Sequence, residues 1–231
     1  MNVILMGPQG SGKGTQAARL GPRLHLVLVA TGELFRSAIA TNSELGQRIK
    51  TIYDRGELIP DDLTVNLVEA KLDEIARQQA FGQGVRGALF DGFPRTSGQA
   101  EALDAALTSR NAEITAVIRI DVPRETLISR LSGRRVCRNC GTVYHIKFNP
   151  PRAEGVCDRC GCEVAQREDD TPDAVQKRLD LYFSETAPLL TYYEQRGLLA
   201  VVNGDQPIEL VTDAIEEAVV RFAPKTASRP R

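Results

Sequence analysis

Short runs of mainly apolar residues alternate along the chain with longer segments in which apolar residues recur every three or four positions. The runs lie at residues 3–6, 26–29, 88–90, 116–120 and 199–202. A short apolar run predicts a buried strand, and the periodic segments predict amphipathic helices. Because strands that alternate with helices pair in parallel through right-handed crossovers, we predict an α/β fold, a five-stranded parallel sheet with helices on both faces.

A glycine-rich segment follows the first predicted strand. Residues 7–15 contain the spacing G-x-x-x-x-G-K of a phosphate-binding loop, with Lys13 as its lysine. Glycines let backbone N–H groups approach a phosphate, and the following helix N-terminus and Lys13 add positive charge. Gly14 stands where the motif usually has Ser or Thr, so we expect Thr15 to supply the magnesium-side hydroxyl. The alternative, an ordinary glycine turn, does not account for the lysine.

Polar residues also follow the second and third predicted strands. Thr31 is expected to cap the helix that comes after the second strand. Asp91 ends the third strand and precedes Gly92-Phe93-Pro94-Arg95. An acidic residue at this place in phosphate-loop enzymes helps to hold Mg²⁺, often through water. The alternative for Asp91 is an ordinary turn residue before Gly92.

Several arginines are spaced as if to surround a phosphate. Arg130 and Arg134 are four residues apart and therefore share one helical face, and Arg167 and Arg178 lie beyond a cysteine-containing segment. Most arginines are solvated surface charges, which is the alternative here. Phosphoryl transfer, however, depends on positive charge around the moving group, so these arginines favour that chemistry.

Five cysteines lie close together, between residues 137 and 162. Cys137 and Cys140 form one C-x-x-C pair and Cys157 and Cys160 form a second, at a separation typical of structural zinc sites. Cys162 leaves the identity of the fourth ligand open, and we expect His145 to make an ordinary hydrogen bond. Such clustering favours metal binding in a reducing cytoplasm over a disulfide framework.

Composition excludes several classes of function. The 231 residues are 42% apolar, which suits one good core with small insertions. Lys and Arg number 29 against 30 Asp and Glu, a net charge of −1 that does not favour nucleic-acid or membrane binding. The run lengths fall short of the roughly 18 apolar residues of a membrane span. The tail at 224–231 is predicted to be disordered.

These motifs resemble those of adenylate kinase, in the form with a long, zinc-binding lid. The resemblance covers almost the whole chain and rests on GPQGSGKGTQ at 7–16, TGELFR at 31–36, DGFPRT at 91–96, GRRVCRNCG at 133–141, VYHIKFNPP at 143–151, REDD at 167–170 and KRL at 177–179. The chain departs from the usual pattern at Gln9, Glu33 and Phe90, and the segment 77–87 is longer than in most relatives.

The resemblance implies the fold and domains of a P-loop nucleoside monophosphate kinase. The core comprises 1–29, 60–132 and 171–223, and carries two insertions: an AMP-binding helical module at 30–59 and a zinc-binding β lid at 133–170. The implied activity is reversible transfer of the terminal phosphoryl group of Mg-ATP to AMP, giving two ADP and maintaining adenine nucleotide balance. A cytoplasmic monomer that binds ATP, AMP and ADP, and neither nucleic acid nor membrane, is expected.

The resemblance also implies a role for each motif position. Catalytic positions are Lys13, Arg95, Arg130, Arg134, Arg167 and Arg178. ATP is expected to contact Gly10, Ser11, Gly12, Lys13, Gly14, Thr15, Arg130, Arg134, Val143, Tyr144 and Gln206. AMP is expected to contact Thr31, Arg36, Glu57, Leu58, Ile59, Gly92, Phe93, Pro94, Arg95, Gln99, Arg167 and Arg178. Asp91 is expected to serve Mg²⁺ through water, and Cys137, Cys140, Cys157 and Cys160 to bind a structural Zn²⁺.

Other functions remain open at this point. A kinase for a different nucleoside monophosphate would share the fold and the charge set. A nucleotide-switched protein whose cysteine pairs contact nucleic acid is a second alternative, although residues 133–165 contain few aromatic side chains for base stacking. A purely structural zinc protein has no use for the phosphate-binding loop.

Overall fold

A computed structural model describes residues 1–55, 57–166 and 172–223. The strands within these residues are β1 (Val3–Met6), β2 (Leu26–Ala30), β3 (Gly87–Asp91), β4 (Ala116–Asp121), β5 (Arg134–Cys137), β6 (Val143–His145), β7 (Val164–Ala165) and β8 (Leu199–Asn203). The helices are α1 (Lys13–Leu24), α2 (Thr31–Ala40), α3 (Glu44–Asp54), α4 (Asp61–Ala80), α5 (Ser97–Thr108), α6 (Arg124–Ser132), α7 (Pro172–Leu181), α8 (Pro188–Gln195) and α9 (Ile208–Phe222), with a π-helical turn at Tyr182–Thr186.

The central sheet confirms the predicted architecture. Within the described residues it has five parallel strands in the order β2-β3-β1-β4-β8. The chain leaves β1 toward β2 and β3 and later returns to the other side of β1 with β4. The strand order therefore reverses at β1, and the loop that follows β1 opens into the crevice where such sheets bind ligands.

Two apolar layers bury the sheet between helices. Successive side chains of β1 point to opposite faces, so Val3 and Leu5 pack with α1, α6, α7 and α9, whereas Ile4 and Met6 pack with α4, α5 and α8. All four residues are at most 3% exposed. A strand buried on both faces is an uninterrupted apolar run, which is why the sequence pattern located these strands to within two residues.

Helices α2 and α3 pack against the start of α4 in a third apolar cluster. Phe35 and Ile49 pack there with Ile59 and Leu63, apart from the two central layers. Ser43 caps α3, because its hydroxyl accepts a hydrogen bond from Gly46 N–H at 3.2 Å. The expectation that Thr31 caps α2 is wrong: Ala30 occupies the cap position and Thr31 is the first helical residue.

A small antiparallel sheet lies between α6 and α7 in the chain. Its order is β6-β5-β7, and its core consists of Cys137, Tyr144, Cys157 and Val164. This cluster is also separate from the central layers, as expected for an inserted β module.

Some expectations fall outside the part of the chain that the structure describes. They are the role of Arg167 and the disorder of the tail at 224–231. Across 1–55, 57–166 and 172–223, we find no helix that combines the length and the apolarity required to cross a membrane.

Candidate active site

The loop between β1 and α1 has the backbone of a phosphate cradle. Gly10 and Gly12 have φ angles of +85° and +99°, a region that favours glycine. A Cβ on Gly10 would lie 3.0 Å from the carbonyl oxygen of Leu127, so the loop also lies tightly against α6. Ser11 is 2% exposed, and its hydroxyl has no hydrogen-bond partner among the described residues. An unpaired buried hydroxyl inside this loop is suited to donate a hydrogen bond to a phosphate oxygen.

Lys13 turns back over the loop that precedes it. Its ammonium donates hydrogen bonds to the carbonyl oxygens of Gly7 at 2.6 Å and Pro8 at 2.9 Å. The pKa of Lys13 is lowered to about 8, chiefly by burial; Asp91 opposes the shift, and nearby positive charges add to it. The folded protein thus holds an incompletely compensated cation where a polyanion would be most strongly attracted.

Three arginines distant in sequence supply those positive charges. They are Arg95, after β3, Arg178, in α7, and Arg134, at the start of β5. Burial also lowers the pKa of Arg95, whose Nε donates to Gly92 O at 2.8 Å. The tertiary fold thus brings three of the predicted catalytic arginines to the loop lysine.

Asp91 is the acidic counterpart of this cationic group. It ends β3, and its Oδ2 lies 3.4 Å from the place that a Cβ on Gly14 would occupy. The carboxylate is therefore beside Gly14, in the first turn of α1. A carboxylate and a hydroxyl near a phosphate cradle are the oxygen donors that Mg²⁺ prefers.

The expectation that Arg130 and Arg134 share one helical face is wrong, because α6 ends at Ser132 and Arg134 begins β5; Arg130 faces a different part of the site. Its Nη2 donates to Gly204 O at 2.9 Å and lies 3.5 Å from Asp205 Oδ1, and burial lowers its pKa. These contacts fasten α6 to the loop after β8, where the exposed Gln206 lies. Arg130 and Gln206, both predicted to contact ATP, thus belong to one side of the site.

The predicted AMP residues form a second group around the end of β3. The Thr31 hydroxyl donates to Gly92 O at 2.9 Å, and the Arg95 N–H donates to Gln99 Oε1 at 2.8 Å. Arg36 Nη1 donates to Tyr53 Oη at 3.3 Å across α2 and α3. The predicted positions Ile59, Leu58 and Glu57 are buried, half-buried and exposed, respectively. Phe93 is buried and precedes Pro94 through a cis peptide bond.

Tyr144 lies within the small β module. It is 4% exposed, its hydroxyl oxygen lies 3.4 Å from Cys157 Sγ, and it accepts a hydrogen bond from Asp158 N–H at 2.8 Å. The neighbouring Val143 is 40% exposed. The Tyr144 side chain therefore supports the cysteine cluster, and the contact of these two residues with ATP stays a prediction.

The four predicted cysteine ligands converge. Their Sγ atoms all lie within 4.8 Å of one another, and the pairs Cys137–Cys160 and Cys140–Cys157 are 3.5 Å apart. A disulfide would require about 2.05 Å. Four sulfurs bound tetrahedrally at about 2.3 Å lie about 3.8 Å apart, so the cluster fits one metal ion.

Two neighbouring side chains are not part of this cluster. Cys162 Sγ points toward the Cys160 carbonyl oxygen at 3.7 Å, outside the set of four converging sulfurs. His145 Nδ1 accepts hydrogen bonds from the backbone N–H groups of Lys147 and Phe148, as expected for an ordinary polar residue. The structure thus favours Cys160 over Cys162 as the fourth ligand.

Sequence reasoning did not identify the residues that fix the segment after β3. Asp61 accepts hydrogen bonds from Thr96 Oγ1 and Gln99 Nε2, both at 2.7 Å, and Thr186 Oγ1 donates to Arg95 O at 3.1 Å. A signal for one of them exists, because Thr96 and Gln99 have the T-x-x-Q spacing of a helix capping box. Thr96 does cap α5, but the Gln99 side chain bonds Arg95 N–H rather than the cap residue.

Most of this chain aligns with known proteins. The family model described as "Adenylate kinase" matches residues 5–198. The adenylate kinase of Moorella thermoacetica is 47% identical over 221 residues, which are 96% of this chain and 99% of that protein. The adenylate kinases of Carboxydothermus hydrogenoformans and Symbiobacterium thermophilum are 46% and 48% identical over 219 residues, 95% of this chain and 99% and 98% of theirs.

Proposed function

The chain belongs to the adenylate kinase family and is a phosphotransferase, and we propose that it moves the terminal phosphoryl group of ATP to AMP between the loop at 7–15 and the segment after β3. The observation that carries this proposal is the convergence of Arg95, Arg134 and Arg178 on Lys13, beside the carboxylate of Asp91. The family assignment favours this reaction over the alternative of a nucleic-acid-binding switch.

The ATP side consists of the loop, Lys13 and the Arg130 region. Backbone N–H groups from Gly10 to Thr15 and the α1 N-terminus hold the triphosphate, and Lys13 exchanges its two carbonyl contacts for phosphate oxygens. Arg134 contributes charge to the phosphates, and Arg130 with the backbone near Gln206 borders the adenine. Asp91 and Thr15 would hold the Mg²⁺ of the bound nucleotide, which would neutralise part of the phosphate charge.

The AMP side consists of the residues around Gly92. An oxygen of the AMP phosphate attacks the terminal phosphorus of ATP, the bond from that phosphorus to the bridging oxygen breaks, and ADP leaves. No general base is required because the AMP phosphate is already an anion. Arg95 and Arg178, with the predicted partner Arg167, neutralise the charge on the moving group, while Arg36 and Thr31 position AMP.

Two modules close over the core in this proposal, at 30–59 and 133–170. Each packs around an apolar cluster that is separate from the two central layers: Phe35 and Ile49 with Leu63 of α4 in the first, and Tyr144 in the second. A module whose apolar cluster lies outside the central layers can move without unpacking those layers. Closure excludes water, which would otherwise accept the phosphoryl group.

The cysteine cluster is proposed to hold a structural Zn²⁺. Four sulfurs fill a tetrahedral site and leave no open position for chemistry. The module has a small core of four buried residues, so metal binding can supply about 10 kcal/mol toward its folding. We also propose a cytoplasmic monomer that takes part in nucleotide biosynthesis and AMP salvage. The clustered free cysteines support the cytoplasmic part of this proposal, because thiols stay reduced in that compartment.

The acceptor is tested by ADP formation from Mg-ATP with AMP, UMP, CMP or GMP. We expect strong turnover with AMP and a kcat/KM at least about 100-fold lower with the others, since one mismatched base contact costs roughly 1–3 kcal/mol and several are expected. Preferential turnover with another monophosphate would overturn the AMP assignment. Nucleotide binding without transfer to any acceptor would overturn the mechanism.

Proton uptake on ATP binding is a second expected result. The pKa of Lys13 is about 8 in the ligand-free protein, so near pH 8 about half of the molecules lack this proton. The negative charge of the triphosphate favours the ammonium form and raises the pKa of Lys13. ATP binding is therefore expected to add about half a proton to Lys13 at pH 8 and almost none at pH 6.

Calorimetric titrations of Mg-ATP in two buffers of different ionisation enthalpy measure this uptake. Lys13→Met is the control, and its uptake at pH 8 is expected to be smaller by that amount. Equal uptake by both proteins would contradict the assignment of Lys13 to the phosphates.

A further inference from the structure

The side chain of Gln99 is held at both ends of its amide. It is 2% exposed and lies in the first turn of α5. Its Oε1 accepts a hydrogen bond from Arg95 N–H at 2.8 Å, and its Nε2 donates to Asp61 Oδ1 at 2.7 Å. These contacts use one lone pair of Oε1 and one proton of Nε2, which leaves one acceptor site and one N–H for a ligand.

The two partners permit only one orientation of the amide. An ionised carboxylate can only accept, so Asp61 must face Nε2, and a backbone N–H can only donate, so Arg95 must face Oε1. Rotating the amide by 180° would place Nε2 against the Arg95 N–H, two donors facing each other, and Oε1 against the Asp61 carboxylate, two acceptors facing each other. The chemistry of the partners therefore determines the orientation, although the O and N atoms of an amide are alike in shape.

We propose that Asp61, together with the Arg95 N–H, determines acceptor-base specificity by locking the Gln99 amide in the orientation that matches adenine and opposes guanine. Adenine presents an amino donor at C6 and an acceptor at N1, whereas guanine presents an acceptor at C6 and a donor at N1. A freely rotating amide could pair with either base. Asp61 acts as a positioning residue in α4, and the inference rests on the proposed contact of Gln99 with the AMP base.

The Thr96 hydroxyl explains why the carboxylate, rather than an amide, is required at position 61. Thr96 Oγ1 donates to Asp61 Oδ2 at 2.7 Å, but a hydroxyl can also accept. An asparagine at 61 could therefore turn its NH₂ group to either Thr96 or Gln99, so position 61 would no longer oppose rotation of the Gln99 amide and only Arg95 N–H would do so. Asp61→Asn keeps the volume of the side chain and removes the part of the lock that Asp61 supplies.

The experiment measures kcat and KM for AMP and for GMP, at saturating Mg-ATP, in the wild type and in Asp61→Asn. The ratio of kcat/KM for AMP over GMP is expected to fall about tenfold, the value of one neutral hydrogen bond. The change is expected in the KM values, with kcat for AMP within about twofold, because the phosphate groups remain aligned.

Two matched controls separate this role from a structural one. Asp62→Asn removes the same charge from the same helical turn at an exposed position. Thr96→Val removes the other hydrogen bond of Asp61 and the cap of α5 but keeps the bond between Asp61 and Gln99. Both are expected to retain the wild-type AMP/GMP ratio, even if Thr96→Val lowers the melting temperature.

Gln99→Ala distinguishes a failure of this inference from a failure of the proposed function. A raised AMP KM in Gln99→Ala, with an unchanged AMP/GMP ratio in Asp61→Asn, overturns the lock alone. An unchanged AMP KM in Gln99→Ala overturns both the base contact and the lock. A loss of kcat in Asp61→Asn without any change of the ratio assigns Asp61 a structural role and also overturns the proposal.

Discussion

Lys13→Met is expected to lower kcat/KM by about 10³-fold or more. The substitution keeps the length of the side chain but removes the charge at the point where Arg95, Arg134 and Arg178 converge. Positive groups that stabilise a transferring phosphoryl group in a closed site contribute about 10²–10⁵ in rate. Steady-state ADP formation measures the loss, and Lys71→Met, which removes a half-buried lysine paired with Glu74 in α4, is the control.

The same variant is expected to be more stable than the wild type in the absence of nucleotide. Lowering the pKa of a lysine from 10.5 to about 8 corresponds to about 3 kcal/mol of destabilisation of the charged form. Methionine removes this cost, and the loss of two hydrogen bonds to carbonyl oxygens offsets part of the gain. A net increase of about 1–2 kcal/mol in the free energy of unfolding follows at pH 7.

The difference in stability between the two proteins depends on pH. Below pH 8 Lys13 is charged in both the folded and the unfolded wild type, so the cost is fully present. Between about pH 8 and 10.5 the folded form releases its proton and the unfolded form retains it, so the wild type gains stability as pH rises. The difference is therefore expected to shrink in this range. Near-wild-type turnover of Lys13→Met would contradict the assigned role.

Cys140→Ser is expected to abolish stoichiometric zinc binding and to lower the melting temperature by about 5–10 °C. The four sulfurs of the cluster lie within 4.8 Å of one another, and the module around them has a small core. Loss of a few of the roughly 10 kcal/mol that zinc can supply gives a shift of this size in a chain of this length. Metal analysis and calorimetric melting measure the two effects.

Cys162→Ser is the matched control for this variant. Cys162 lies two residues after Cys160 but outside the converging set, so its replacement is expected to leave one zinc per chain and an unchanged melting temperature. Zinc loss in Cys162→Ser, with zinc retained in Cys160→Ser, would show that Cys162 is the fourth ligand. A fully stable, metal-free wild type would contradict the zinc site altogether.

Much of the site could be predicted because its chemistry is local. The loop at 7–15 contains its glycines, its lysine and the start of its helix in nine consecutive residues. The strand before it is buried on both faces, so it is an uninterrupted apolar run in the sequence. The two cysteine pairs likewise have a fixed spacing that a metal ion requires. The phosphate-binding loop and the two cysteine pairs together point to the family, because each can be recognised in a few consecutive residues.

Other features could not be predicted from spacing, because they depend on side chains brought together by the crossovers of the sheet. The spacing of the cysteines is compatible with either Cys160 or Cys162 as the fourth ligand. Only the direction of the side chains in the folded protein shows that the Cys160 sulfur joins the cluster. Thr31 was expected to cap its own helix, but its hydroxyl instead donates to Gly92 O, 61 residues away.

The amino-acid sequence by itself determined the sheet, the phosphate-binding loop and the cysteine pairs, since short-range apolar patterning and fixed ligand spacing are written in consecutive residues. Only the tertiary structure brought Arg95, Arg134 and Arg178 to Lys13 and placed Asp61 against Gln99, 38 residues away. The physical reason is that parallel strands place their carboxyl ends at one edge, so residues from separate crossovers share a site whose charges and hydrogen bonds are set by distance in space.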